Sequence, residues 1–346
     1  MDACNPQTSL ARLPLVTLFL SERCNSRCVS CDYWRHGRAD LDFDAVNRLL
    51  PSLERLGTEV VLISGGEPLL NPEWAQIAAL LGQQGLKVWL LTSGLSLAKH
   101  AARASRLFDA ITVSLDGTDS STYAAIRGVD AFDAVCRGIR AAVGANAVVT
   151  LRVTVQRGNF RQLCGFVELG RTLGVAQVSF LAVDVANAHA FKRHDDFAAD
   201  LALGAGDLPD LEGVLLALER EHAEDFRTGF IAESPGKLRR QLLGYFTAVR
   251  GLGPFPPVRC NAPEFSAVID ARRHVSPCFF IGGPPQAVVT DDLDATLNGE
   301  DMVALRASVR HGERPECSRC ICSIWRDTGQ RAAERGLLPM RRGGQP

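Results

Sequence analysis

Three observations predict an α/β fold built on a parallel sheet. Six short runs rich in Val, Ile and Leu recur along the first 185 residues, longer stretches with helical apolar spacing lie between them, and the two alternate without exception. Strands covered on both faces read as near-continuous apolar runs, and 15–20, 60–64, 88–92, 111–115, 148–155 and 178–183 have that composition. Between them, 42–56 places Phe43, Val46, Leu49, Leu50, Leu53 and Leu56 on one helical face, with Pro51 as a breaker signal in its middle. Similar faces occupy 72–81, 97–107, 132–143 and 160–173; Asn71-Pro72 reads as a cap-like entry with Glu73 in the first turn. Right-handed crossovers then give a sheet that either closes toward a barrel or stays open and doubly wound. Both arrangements gather chemistry at the carboxyl ends of the strands.

The pattern changes near residue 185. Residues 186–257 read as a helical insertion with helices at 208–221 and 235–249 and a Gly/Pro-rich stretch at 251–257. Residues 258–335 read as a small ligand-stabilised module: a hairpin from 267–269 and 274–277, a helix at 295–310 and a knuckle at 317–322. The Gly/Arg-rich tail 336–346 is expected to be disordered.

The chain has 346 residues, room for one α/β domain of roughly 200–250 residues and an appendage. A net charge of −1 lacks the basic excess that holds nucleic acid through its phosphates, so no nucleic-acid partner is expected. No apolar run reaches the roughly 20 residues of a membrane span, and the first twelve residues lack the charged-then-apolar order of a secretory signal. A cytoplasmic protein without a membrane partner is the expectation.

Eleven cysteines are the unusual feature: Cys4, Cys24, Cys28, Cys31, Cys136, Cys164, Cys260, Cys278, Cys317, Cys320 and Cys322. A chain this large has no need of disulfide staples, and grouped thiols in a reducing compartment read as metal ligands. Cys24, Cys28 and Cys31 form a Cys-x3-Cys-x2-Cys set after the first strand. Three thiolates on one loop suit three corners of an iron–sulfur cubane, leaving one iron open; a zinc knuckle with a distant fourth ligand, or reactive thiols, are the other readings. Gly65-Gly66-Glu67-Pro68 ends the second strand, where glycines permit close backbone approach and a carboxylate can hold a cation; alone it is also an ordinary turn. Cys260-x17-Cys278, a 38-residue gap and Cys317-x2-Cys320, with Cys322 close behind, form a two-plus-two set that suits a zinc ribbon or a second cluster. Cys136 and Cys164 fall in helical patterns and read as small buried hydrophobes. The seven histidines form no metal or catalytic pattern.

The first two motifs together resemble the radical S-adenosylmethionine (SAM) superfamily. The resemblance implies a partial (β/α)6 TIM-like barrel in which Cys24, Cys28 and Cys31 hold a [4Fe–4S] cluster whose open iron is chelated by SAM. It implies that Gly65, Gly66, Glu67 and Pro68 receive the SAM ammonium, and that reductive cleavage yields a 5′-deoxyadenosyl radical that abstracts hydrogen from substrate. Thr92-Ser93-Gly94, Ser114-Leu115-Asp116-Gly117 and Tyr123…Ile126-Arg127-Gly128 follow in the order seen in relatives. Ser114 becomes a candidate for the SAM carboxylate or ribose, and Asp116 reads as a turn-former. Arg152 is either a second carboxylate ligand or a strand arginine paired with a neighbouring acid. Many members carry an aromatic before the third cysteine, where this chain has Ser30; Tyr33 or Trp34 then takes the adenine contact.

The C-terminal set resembles the SPASM/twitch module. That implies one auxiliary [4Fe–4S] cluster held by Cys260, Cys278, Cys317 and Cys320, with Cys322 as the alternative ligand or, if free, a hydrogen donor to a substrate radical. Implied partners are a reductant such as flavodoxin or ferredoxin and a substrate. About 14 residues precede the first strand, from which no fused leader-binding domain is expected. The expected reaction is oxidation or epimerisation of a small polar metabolite such as an amino sugar or aminocyclitol. Peptide modification is the alternative, and a non-catalytic iron–sulfur scaffold or electron carrier is the reading from another class.

Overall fold

The computed structural model describes residues 9–187, 189–191 and 198–326; Cys4 and the tail 336–346 lie outside them, as does the end of the expected module. Strands β1 (Leu15–Ser21), β2 (Val60–Gly65), β3 (Lys87–Thr92), β4 (Ala110–Ser114), β5 (Val149–Val155) and β6 (Gln177–Ala182) are parallel and pair in chain order. β7 (Ser266–Ile269) adds in parallel to the free edge of β1, and β8 (Val275–Ser276) returns antiparallel to β7. The expected hairpin therefore forms, and it continues the main sheet. At the other edge, Val178 N–H donates to the Phe230 carbonyl at 2.7 Å, and the buried Glu233 carboxylate accepts from Phe180 N and Ser179 Oγ.

Side chains alternate along each strand. One set, including Val16, Leu18, Val61, Ile63, Leu90 and Ile111, has no exposed surface and packs into the main core beneath the helices. The opposite set faces inward. At its amino-terminal end Val60, Trp89 and Ala110 seal the interior with Leu15 and Leu62. Higher up the inner residues become polar and half-buried: Thr17, Thr112, Ser114, Arg152 and Thr154. A filled barrel is packed with branched apolar side chains; this interior carries polar side chains toward the carboxyl ends of its strands.

The flanking helices are α1 (Tyr33–His36), α2 (Phe43–Arg55), α3 (Trp74–Gln83), α4 (Leu97–Leu107), α5 (Ser120–Arg127), α6 (Phe132–Gly144) and α7 (Leu163–Leu173). Pro51 does not break α2. The hydrogen bond it removes would have reached the carbonyl of Asn47, an exposed residue at which solvent can satisfy that carbonyl. α3 begins later than expected, because Asn71 is used in tertiary contacts. Its amide donates to the Leu20 and Leu41 carbonyls at 2.8 Å each, and Glu73 caps the start of α2 through Phe43 N instead of opening its own helix. Residues 160–162 form a 3-10 turn ahead of α7.

The insertion contains α8 (Ala198–Leu201), α9 (Leu208–Glu221), α10 (Ala223–Arg227), α11 (Pro235–Leu238) and α12 (Tyr245–Val249), the last two joined by a π-helical turn over Arg239–Gly244. The C-terminal module has α13 (Leu293–Leu297), α14 (Glu300–Arg310) and α15 (Pro315–Ser318). The single helix expected at 295–310 is thus two. Asn298 is drawn out of helical register by Leu10, whose N–H donates to Asn298 Oδ1 at 2.7 Å, and Gly299 caps α14. Among the described residues no helix is long and apolar enough to cross a membrane.

Candidate active site

The cysteine loop after β1 is held by hydrogen bonds from four directions, three of them through the backbone. Gly66 N–H donates to Ser21 O at 2.8 Å and Glu67 N–H to Arg23 O at 2.7 Å, fastening its start to the end of β2. Arg27 and Val29 N–H donate to the carbonyls of Arg127 and Ile126, both at 3.0 Å, so Cys28 is bracketed by the end of α5. Asp32 N–H reaches Phe191 O at 2.9 Å, and Asn25 Oδ1 lies 3.0 Å from Ser93 Oγ after β3. The glycines serve this packing. A Cβ on Gly66 would stand 2.4 Å from Arg23 O, and one on Gly128, which has φ +68°, would stand 2.1 Å from Arg27 O.

Glu67 is fully buried, and both its oxygens are occupied. Oε1 accepts from Leu69 N and Thr92 Oγ1 at 3.1 and 2.8 Å; Oε2 accepts from Ser93 N and Oγ at 2.7 and 2.6 Å. Its observed role is to lock the turns after β2 and β3 together. Ser114 and Arg152 are register partners on β4 and β5 and project side by side into the polar interior. Arg152 Nε is buried without a hydrogen-bond partner, a donor poised for an anion. Tyr33 packs edge-on against Phe19 at 5.8 Å, and burial pushes its hydroxyl pKa up. Trp34 lies under the Arg35 guanidinium at 4.5 Å.

Burial pushes the Cys24 thiol up to about 11 and Cys31 up to about 12, with Cys28 raised as well; repulsion between the thiols adds to the rise in Cys24 and Cys31, and Arg127 opposes it in all three. Arg127 is the feature that sequence reasoning missed. It forms a buried pair with Asp116 at 3.0 Å beside Cys28, and its Nε has no hydrogen-bond partner. Asp116 also accepts from Thr154 N at 2.7 Å, so the expected turn-former is a buried counter-ion, its own pKa raised by burial despite Arg127. The Ile126-Arg127-Gly128 signal was visible; the acid it pairs with, eleven residues upstream, was not.

The five C-terminal cysteines come together. Cys260 lies near enough to Cys278, Cys317, Cys320 and Cys322 to act on all four electrostatically. Burial raises Cys278 to about 12 and Cys322 to about 11, and it raises Cys317 and Cys320 also. Cys322 N–H donates to Cys320 Sγ at 3.3 Å, while the Cys322 thiol feels the cations Arg152 and Lys237. An aromatic group links the two cysteine sets: Phe279, next to Cys278, lies 6.1 Å from Phe19 and 5.5 Å from Phe191. Cys136 is buried in the core, and Cys164 packs against it. Among the described residues no three His, Cys, Asp or Glu side chains converge closely enough to share a single metal ion.

Residues 18–164 match the model of the radical SAM superfamily, so the chain contains a radical SAM domain. That domain implies a [4Fe–4S] cluster and SAM as cofactors, and the all-sulfur donor set of the loop after β1 fits such a cluster. A probable GTP 3′,8-cyclase of Saccharolobus solfataricus is 31% identical over 185 residues, 51% of this chain and 60% of that protein. An Fe-coproporphyrin III synthase of Methanosarcina barkeri is 26% identical over 212 residues, 58% and 52% of the respective chains. The chain thus spans about 60% of the length of the first of these relatives. In structure it is similar to Streptococcus suis SuiB bound to SAM (TM-score 0.64, 15% identity, 90% of this chain and 73% of that one). It is also similar to anSMEcpe bound to SAM and a peptide (TM-score 0.61, 18% identity, 84% and 81%). These likenesses establish the shared fold, a partial barrel with a C-terminal extension.

Proposed function

We propose that this chain is a radical SAM enzyme that oxidises or epimerises a small polar metabolite, an amino sugar or aminocyclitol being the chemical type in view. The observation that carries the reading is the row of half-buried polar side chains on the inner face of the barrel strands, Thr17, Thr112, Ser114, Arg152 and Thr154, with Arg152 offering an unpartnered donor beside Ser114. When bound, the cluster and SAM supply one-electron reductive cleavage of SAM and hydrogen-atom abstraction from substrate.

The protein's own groups divide the remaining work. Cys24, Cys28 and Cys31 hold the cluster, and Arg127 offsets the charge of three thiolates in a buried setting. Gly65 to Pro68 present their backbone to the SAM amino group, kept in place by the Glu67 clamp. Arg152 and Ser114 take the SAM carboxylate, and Tyr33 borders the adenine. Cys260, Cys278, Cys317 and Cys320 hold an auxiliary cluster. Cys320 accepts an N–H bond of the kind that stabilises a ligating sulfur, which leaves Cys322, whose thiol feels Arg152 and Lys237, outside the ligand set.

The Cys322→Ala variant separates the two outcomes. An epimerase would still consume SAM but lose hydrogen return and therefore product; a dehydrogenase would keep its turnover. Loss of auxiliary-cluster iron in this variant would instead make Cys322 a ligand. Peptide-bound neighbours of the same fold make a peptide the second substrate reading, tested by the same SAM-consumption assay with candidate peptides.

A further inference from the structure

A cleft of about 250 Å³ is lined by none of the residues assigned to SAM. One wall is the π-helical turn Arg239–Gly244 with residues 255–259; the other is the cysteine knuckle, and Cys320 itself forms part of it. Four cations line the cleft, Lys237, Arg240, Arg259 and Arg319, and no carboxylate does. In a chain with a net charge of −1 this is a marked local segregation. The neighbouring Arg239 and Arg314 are paired with Glu219 and Glu316, whereas among the described residues none of the four cleft cations has an acidic partner.

The walls are tied and the cations pre-oriented. Gln241 Nε2 donates to Ile321 O at 3.3 Å, and Ser323 Oγ exchanges hydrogen bonds with Arg259 N and O at 3.0 and 2.9 Å. The Arg259 guanidinium lies 4.5 Å over Trp325, and that of Arg319 lies 5.9 Å from Phe255. Stacking of this kind holds a guanidinium plane without neutralising it.

We propose that this cleft is the docking site of an acidic one-electron carrier protein, flavin- or iron–sulfur-bearing, that exchanges electrons with the auxiliary cluster. The inference rests on Cys260, Cys278, Cys317 and Cys320 being the ligands of that cluster. Arg259 and Arg319 stand at the rim with Arg240 beside them, a form that meets a broad acidic surface, whereas a small anion is gripped by buried donors. Charge complementarity at such a rim steers encounter and fixes orientation. Cys320 in the wall gives the cluster its approach to the docked carrier. The step is a single electron passing from the reduced cluster to the oxidised carrier; no bond forms or breaks, and the electron originates in substrate oxidation.

The test measures binding of an acidic flavodoxin to the cluster-loaded enzyme by calorimetry at low and high salt, with dithionite-driven SAM cleavage as a control that needs no carrier. Expected are an affinity that falls steeply with salt and a loss of about tenfold or more in the combined R240E, R259E and R319E variant. The matching Lys replacements should bind like the parent, and SAM cleavage with dithionite should be unchanged throughout. If the triple variant loads clusters poorly, R240E alone, on the wall remote from the cysteines, must still weaken binding. Salt-insensitive binding, or equal affinity in the charge-reversed variants, overturns the proposal. So does stoichiometric binding of inorganic phosphate in the cleft with carrier affinity unaltered, which would make it a small-anion site. Loss of SAM cleavage with dithionite in the parent protein would count against the proposed function instead.

Discussion

At the scale of single residues, the Arg127–Asp116 pair shows how an ordinary motif becomes part of a site. The side chains are 11% and 3% exposed, so each depends on the other for compensation. Replacing Arg127 with Met leaves Asp116 uncompensated and should destabilise the protein by about 3–5 kcal/mol, read from the denaturation midpoint of the iron-free chain. Combining Arg127→Met with Asp116→Asn should recover part of that loss, because both charges are then removed. Equal stability of the single variant and the parent would mean that the pair is solvated. The Glu67 clamp teaches a related point. The sequence singled out Glu67 as a ligand-binding carboxylate, but four internal donors, contributed by residues as far as 26 positions away, occupy its oxygens.

At the scale of elements, α5 is the helix on which the cysteine loop depends. Asp119 caps it, accepting from Thr122 N at 2.8 Å and from Ser121 Oγ at 2.6 Å; these bonds hold its carboxyl down at about 2. A depressed folded pKa gives stability that is fully present above the unfolded value of about 3.9 and is lost as pH falls toward about 2. Asp119→Ala should cost about 1 kcal/mol at neutral pH, and the gap from the parent should close in acid, measured by denaturation from neutral pH down through the folded pKa. A gap independent of pH would contradict the capping role. Helices of this kind were legible where one apolar face dominates, as in α4 and α9, whose limits match the periodicity. They were not legible where a side chain leaves the helix for a distant partner, as Asn298 does for Leu10. Residues 120–127 offered too short an apolar face to announce a helix.

At the scale of the whole molecule, the parallel sheet was readable because all six strands are apolar runs buried on their outer face. Attachment of β7 to the edge of β1 was not, since a four-residue strand carries no mark of the strand it will pair with. The two cysteine groups were readable from spacing alone, whereas the aromatic link through Phe279 depends on a fold that brings residues 19, 191 and 279 together. The polar inner face of the barrel, the pinned cysteine loop and the superfamily match converge on reductive cleavage of SAM. The most direct measurement is product analysis after anaerobic reconstitution with iron and sulfide, followed by dithionite and SAM. The account predicts 5′-deoxyadenosine and methionine in equal amounts from the parent and none from Cys28→Ala; cluster-loaded parent protein that binds SAM yet forms neither product would contradict it.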